Sequence, residues 1–188
     1  MSGSGRGRPV ELVLLALGPV LVAAYAGAGH LAVRAAVRAQ IAGPSWEGGR
    51  IDASQMTSLG VDTWRLTWWT ALLVGVVALA YAVIGALLRR GGRGRTLLLV
   101  VSGVLVAPYA LGFLVALVNP VRLLAGLYDS PDFAGGLPGW QPYTAFLLAA
   151  AGLVQAVGLA MAAARGKRAA ATAALPQKAG PPQTADQP

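Results

Sequence analysis

Residues 66–88 read LTWWTALLVGVVALAYAVIGALL, twenty-three residues without one Asp, Glu, Lys or Arg. As a helix rising about 1.5 Å per residue this stretch spans about 34 Å, enough to cross a hydrocarbon core about 30 Å thick. Three further stretches, 12–33, 96–118 and 143–164, are likewise free of charged residues. Four such spans predict an all-α integral membrane four-helix bundle. Of the 188 residues 56% are hydrophobic and 12% charged, whereas a soluble domain carries about 25% charged residues.

The spans set the organisation of the rest. A basic segment, 1–11, precedes one transmembrane domain, 12–168, and the connecting loops are too short for a separate soluble domain. From residue 169 the Ala, Pro, Gln and Thr composition predicts a disordered tail to 188. The chain has no Cys, so no disulfide, thiolate nucleophile or Cys-based metal site can form.

A net charge of +8 points to topology rather than to nucleic acid, because the basic residues flank span ends. Arg6 and Arg8 precede the first span. Arg89, Arg90, Arg93 and Arg95 fill the turn between the second and third, and Arg165, Lys167 and Arg168 follow the fourth. By the positive-inside rule these segments face the cytoplasm, which puts both termini inside and makes the plasma membrane the expected location. The outer loops dilute Arg34, Arg38, Arg50, Arg65 and Arg122 among Glu47, Asp52, Asp62, Asp129 and Asp132. A cleavable signal peptide ending near Ala26-Gly27-Ala28 is an alternative for the first span. Against it, the apolar run continues to Val33 and holds Pro19 in its middle.

Local signals set the boundaries. The helical pattern of Val33, Arg34, Val37, Arg38 and Ile41 carries the first helix out of the membrane to a stop at Gly43-Pro44. Asp62 is the expected N-cap of the second helix, with Trp64, Trp68 and Trp69 at the outer interface. Asn119-Pro120 predicts a short interfacial helix over 121–127. Ser130-Pro131-Asp132 and Gly135-Gly136-Leu137-Pro138-Gly139 mark turns, and Trp140 and Tyr143 the boundary of the fourth span. Small residues suited to close helix approach are Ala78, Ala82 and Ala86; Gly103 and Ala107; and Gly152, Ala156, Ala160 and Ala164.

The two halves echo each other. VLVAAYA at 20–26 recurs as VLVAPYA at 104–110, and Thr70-Ala71 with Tyr81-Ala82-Val83 matches Thr144-Ala145 with Gln155-Ala156-Val157 at one offset. Duplication would make two helical hairpins in parallel orientation, with Tyr25 equivalent to Tyr109 and Tyr81 to Gln155. Chance similarity among segments drawn from Ala, Val, Leu and Gly is the alternative.

Few polar groups lie within the spans. The Gln155 amide needs a partner there, and Ser102, Tyr81 or the carbonyl freed by Pro108 are candidates. The bond would be interhelical glue worth about 1 kcal/mol or a contact to substrate or ion. Tyr25, Tyr81 and Tyr109 either line a cavity or pack with satisfied hydroxyls. Glu11 suits the N-terminus of the first helix, and His30 a structural place at the outer interface. His30, Arg34, Glu47, Asp52, Asp129 and Asp132 either converge above the bundle as a ligand or ion site or form a solvated rim. Arg89, Arg90, Arg93 and Arg95 would anchor on anionic lipid headgroups. No metal-ligand spacing, G-x-S-x-G, H-E-x-x-H or phosphate loop occurs, so neither cofactor nor metal is expected.

The Ala, Gly, Val and Arg usage, the four spans and the outer loop from Asn119-Pro120 to Leu137-Pro138-Gly139-Trp140 resemble small four-span integral membrane proteins of high-GC actinobacteria. That group has no established activity to carry over. The expected function is therefore non-enzymatic: an accessory or scaffold in contact with lipids and with a membrane-protein partner or a second copy. A small transporter or channel subunit acting as an oligomer is the alternative, and a lipid-modifying membrane enzyme the third.

Overall fold

A computed structural model describes residues 10–44, 46–48, 56–90 and 94–173. They form seven α-helices and no strand: α1 Val10–Ala42, α2 Ser58–Arg90, α3 Arg95–Val104, α4 Val106–Leu117, α5 Pro120–Leu127, α6 Pro131–Gly135 and α7 Ala145–Ala173. Four helical stretches are long and apolar enough to cross a membrane, and the fold is an all-α four-helix bundle whose third span is α3 followed by α4.

That third span is not the single helix expected over 96–118. Pro108 lacks the N–H that would bond the Val104 carbonyl, and its ring crowds that same oxygen. The helix accordingly breaks at Leu105 and resumes with Tyr109 N donating to Leu105 O at 3.4 Å.

The 33 residues of α1 reach about 50 Å, some 20 Å more than the hydrocarbon core needs. The excess is used in packing at the C-terminal end of α1. Val33, Ala36 and Val37 on α1 pack with Leu59, Val121, Ala125, Phe133 and Leu137, so that α5, α6 and the turn after them form a cap on this end of α1 and α2. Phe133 is 0% exposed at its centre. Gln40 ties the cap together, its Nε2 donating to Ser130 Oγ at 3.2 Å and its Oε1 accepting from Thr57 Oγ1 at 2.8 Å.

Several local expectations shift. α1 ends at the Gly43-Pro44 stop, and α5 follows Asn119-Pro120 as anticipated. The cap of α2 is Thr57 rather than Asp62: Gly60 N donates to Thr57 Oγ1 at 3.2 Å, and Asp62 lies a turn inside, accepting from the Tyr128 hydroxyl at 3.0 Å. Asn119 adopts φ 57°, a left-handed state that Asn tolerates. Its side chain does not cap α5 but exchanges two 3.0 Å bonds with Gln141. A 3-10 turn, Gln141–Thr144, leads into α7, which continues through Ala173. The tail boundary expected at 169 therefore moves outward, because Ala is the strongest helix former; 174–188 lie outside the described residues.

Within the membrane α1 packs along both α2 and α7, and α2 along α7, while the third span leans on α2 and meets α7 at α4. The close-approach glycines include Gly85 and Gly158, which receive Leu15 of α1, Gly18, which receives Gln155, Gly29, which receives Thr67, and Gly112 of the third span, which receives Val74. Of the small residues singled out by spacing, Ala78 is buried in the core, and Gly152 faces the Tyr109 ring. Ala86, Gly103, Ala107, Ala156, Ala160 and Ala164 are exposed. In an Ala-rich chain small residues fall on every face, and the bulky residue opposite decides which is used.

Glu11 does more than face a helix end. It is 0% exposed and ion-paired to Arg165, 154 residues away. The pair locks the start of α1 to α7 and puts those two ends on one side of the bundle.

A candidate functional site: the groove beside Gln155

Gln155 lies near the middle of the fourth span and is 1% exposed. Its Nε2 donates to Ala78 O of α2 at 2.7 Å and points at Leu15 O of α1 at 3.5 Å. Neither expected partner side chain, Tyr81 or Ser102, receives it, nor does the carbonyl freed by Pro108. The sequence does explain the Leu15 contact. Pro19 has no N–H to offer the carbonyl four residues earlier, which is that of Leu15. Gly18 beside it leaves the space: a Cβ there would overlap the Gln155 carboxamide. One amide thus joins three helices at a carbonyl that a proline has left open.

The neighbouring hydroxyls also donate to backbone. Tyr81 Oη donates to Ser102 O at 2.8 Å, Ser102 Oγ to Leu99 O at 2.8 Å, and Tyr109 Oη to Leu148 O at 3.0 Å. The Tyr81 and Tyr109 rings lie 6.4 Å apart. Both readings of these tyrosines hold together, because the satisfied hydroxyls also border a cavity. Tyr25 packs in the same apolar core but does not line it.

The cavity is a groove of about 660 Å³ between the third span and α7, running from Leu99 and Ala163 to Phe113 and Ala149. It exists because α3 stands off α7 below the Tyr109 contact. Tyr81, Ser102, Tyr109 and Gln155 supply its polar groups, and among the described residues no charged one lines it. Gln155 Oε1 is buried without a hydrogen-bond partner.

Of the polar cluster expected from sequence, the structure brings Glu47 and Asp129 to one pocket. His30 sits edge-on against Trp64, ring centroids 4.8 Å apart, with Trp68 5.9 Å beyond Trp64. Arg34 is exposed, and Asp132 lies against Gly43. The pocket of Glu47 and Asp129, of about 260 Å³, is also lined by Gln40, Trp46, Tyr128 and Ser130. Among the described residues no group of three or more His, Cys, Asp or Glu could hold a metal. The hydrogen bond to Asp62 pushes the Tyr128 phenol up from its ordinary pKa. Arg89 and Arg90 close α2 and Arg95 opens α3; Asp52 and Arg93 lie outside the described residues.

The Glu11–Arg165 pair and the Gln155 carbonyl contacts are the features sequence spacing missed. Pro19 was the available signal for the second, since a proline inside a span always frees one carbonyl. No protein-family model matches this chain, no curated protein matches it, and no solved structure matches it.

Proposed function

We propose that this protein acts without catalysis, as an accessory or scaffold in the plasma membrane, and that its folded outer cap is the surface on which a membrane-protein partner docks. The cap carries the proposal. It is built on its own buried core around Phe133, yet α5 leaves Leu123 exposed and Leu127 81% exposed, with Tyr128 beside them. A preformed surface with clustered apolar side chains suits association. Within the bundle, the Gln155 amide nitrogen and the two tyrosine hydroxyls bond to backbone, which suits a structural role better than a polar path for ions.

The basic residues near the inner ends support an orientation with both termini in the cytoplasm and Arg89, Arg90, Arg93 and Arg95 near anionic headgroups. Single cysteines test it. Asp132→Cys should react with an impermeant thiol reagent in intact cells and Gly91→Cys should not; the reverse pattern inverts the topology.

A photoreactive residue at Leu127 tests the docking surface. Irradiated cells should yield one protein adduct of defined mass, lost in Leu127→Arg while membrane insertion is unchanged. Adducts with lipid alone would mean that α5 lies on the bilayer surface and would end the proposal.

A further inference from the structure

The cap has a second feature beside its apolar face. Tyr128 and Asp129 directly follow Leu127, and they line a pocket with Trp46 and Glu47 from the segment after α1. Resting on the docking role given to the cap above, we propose that this pocket receives a basic side chain, arginine or lysine, of the partner protein whose apolar residues lie on Leu123 and Leu127.

Charge selects the occupant. Glu47 and Asp129 are both exposed, so a group entering the pocket can reach them. Neither has an ion-pair partner among the described residues. Tyr128 and Gln40 are already bonded to Asp62, Ser130 and Thr57, which leaves the two carboxylates to select what enters. A pocket lined by one sign of charge concentrates its field and draws in the opposite charge. Both aromatic residues in the wall, Trp46 and Tyr128, favour a cation over their ring faces.

A protein side chain fits better than the other cations at a membrane. A metal ion needs more than two carboxylates, and among the described residues no group of three or more His, Cys, Asp or Glu could hold one. A phospholipid amine brings its own phosphate, which the same carboxylates repel. A partner protein meets both parts of the surface at once. Leu123 and Leu127, 54% and 81% exposed, supply apolar contact, and the charges supply register and speed of association. Arg122, exposed near the start of α5, carries the opposite charge. The surface therefore runs from basic to acidic, which fixes the end where the partner's cation lies.

The test places p-benzoylphenylalanine at Leu127 of the full chain in intact cells. Irradiation should give one protein adduct, with the mapped crosslink beside an Arg or Lys of the partner. Glu47→Gln with Asp129→Asn should lower its yield about threefold, the range of exposed ion pairs. Glu47→Lys with Asp129→Asn should lower it about tenfold, because like charge now repels the incoming cation. Asp129 has φ 45°, a left-handed state that Asn tolerates, so both variants should keep wild-type insertion and thermal stability. Changing the mapped basic residue of the partner to Glu should restore the yield with the Glu47→Lys variant. Equal yields from wild type and both variants would overturn the cation site while leaving docking on the cap intact. No protein adduct even from wild type would remove the docking role and this proposal with it. An adduct between two copies of this chain, or a crosslink remote from any basic residue, would also overturn the proposal.

Discussion

The bundle is made of two hairpins of closely similar composition, each with a proline inside its first helix, and only one of the two packs shut. In the first hairpin Pro19 sits in an unbroken helix, because the carbonyl it frees, Leu15 O, faces the Gln155 amide of α7. In the second, Pro108 breaks the span into α3 and α4. The difference lies in the neighbours. α1 is flanked by α2 and α7, whereas the third span has α2 along it and α7 only at α4. In lipid a freed carbonyl is satisfied best by protein, and α1 runs on through Pro19 with the Gln155 amide beside that carbonyl, whereas the third span is interrupted at Leu105. The groove is the space on the third span's open flank.

The same comparison qualifies the internal repeat. VLVAAYA and VLVAPYA place Tyr25 and Tyr109 in one core, as equivalent positions would. The contacts around them are nonetheless unequal: α1 packs along α2, while α3 leaves α7. Whatever the origin of the repeat, the packing is not two-fold.

Placing one substitution in both hairpins breaks this comparison most sharply. Gly18→Leu drives a side chain into the Gln155 carboxamide and should destabilise the bundle by about 3 kcal/mol, the upper range for overpacking. Gly103→Leu, at the third span's open flank, should change stability by less than about 0.5 kcal/mol, as an open surface position does. Unfolding by steric trapping in bicelles measures both, and equal losses would mean that the groove is closed in the membrane.

Next in size is the lock between the start of α1 and α7. Arg165→Met takes this cation away from the buried Glu11 carboxylate. Breaking a fully buried pair costs about 3–5 kcal/mol; since Arg165 is half exposed, the expected loss is about 2 kcal/mol. Glu11→Gln combined with Arg165→Met should recover part of it. No recovery would show that the pair is not what holds α1 to α7.

Gln155→Leu removes the amide shared by three helices and should cost about 1 kcal/mol, the usual scale of membrane hydrogen bonds. Adding Pro19→Ala sharpens the reading, because an alanine at that position supplies the missing N–H to Leu15 O. If the double variant is no more stable than Gln155→Leu alone, the Leu15 carbonyl is not what the amide serves. The smallest effect concerns the break itself. Pro108→Ala should join α3 and α4 and stabilise by about 0.5 kcal/mol through one restored ladder bond, read as slower hydrogen exchange at residues 105–107 and 109 than in wild type.

The sequence by itself determined the four crossings, the exit of α1 to Gly43-Pro44 and the short helix after Pro120, because these depend on local quantities: twenty or so residues without charge, and residues that cannot continue a helix. It also contained both prolines, and with them the two carbonyls that must find other partners. Only the tertiary structure decided which helix faces turn inward. In water a buried face announces itself as an apolar stripe against a polar one, but lipid is as apolar as a protein core, so Ala78, which is buried, and Ala86, which is exposed, look alike in sequence. For the same reason the Glu11–Arg165 pair, the Gln155 staple and the groove could not be read beforehand. Each depends on which of several equally greasy surfaces meet, and that is settled by the fit of Leu15, Tyr109 and Gln155 against glycines on facing helices.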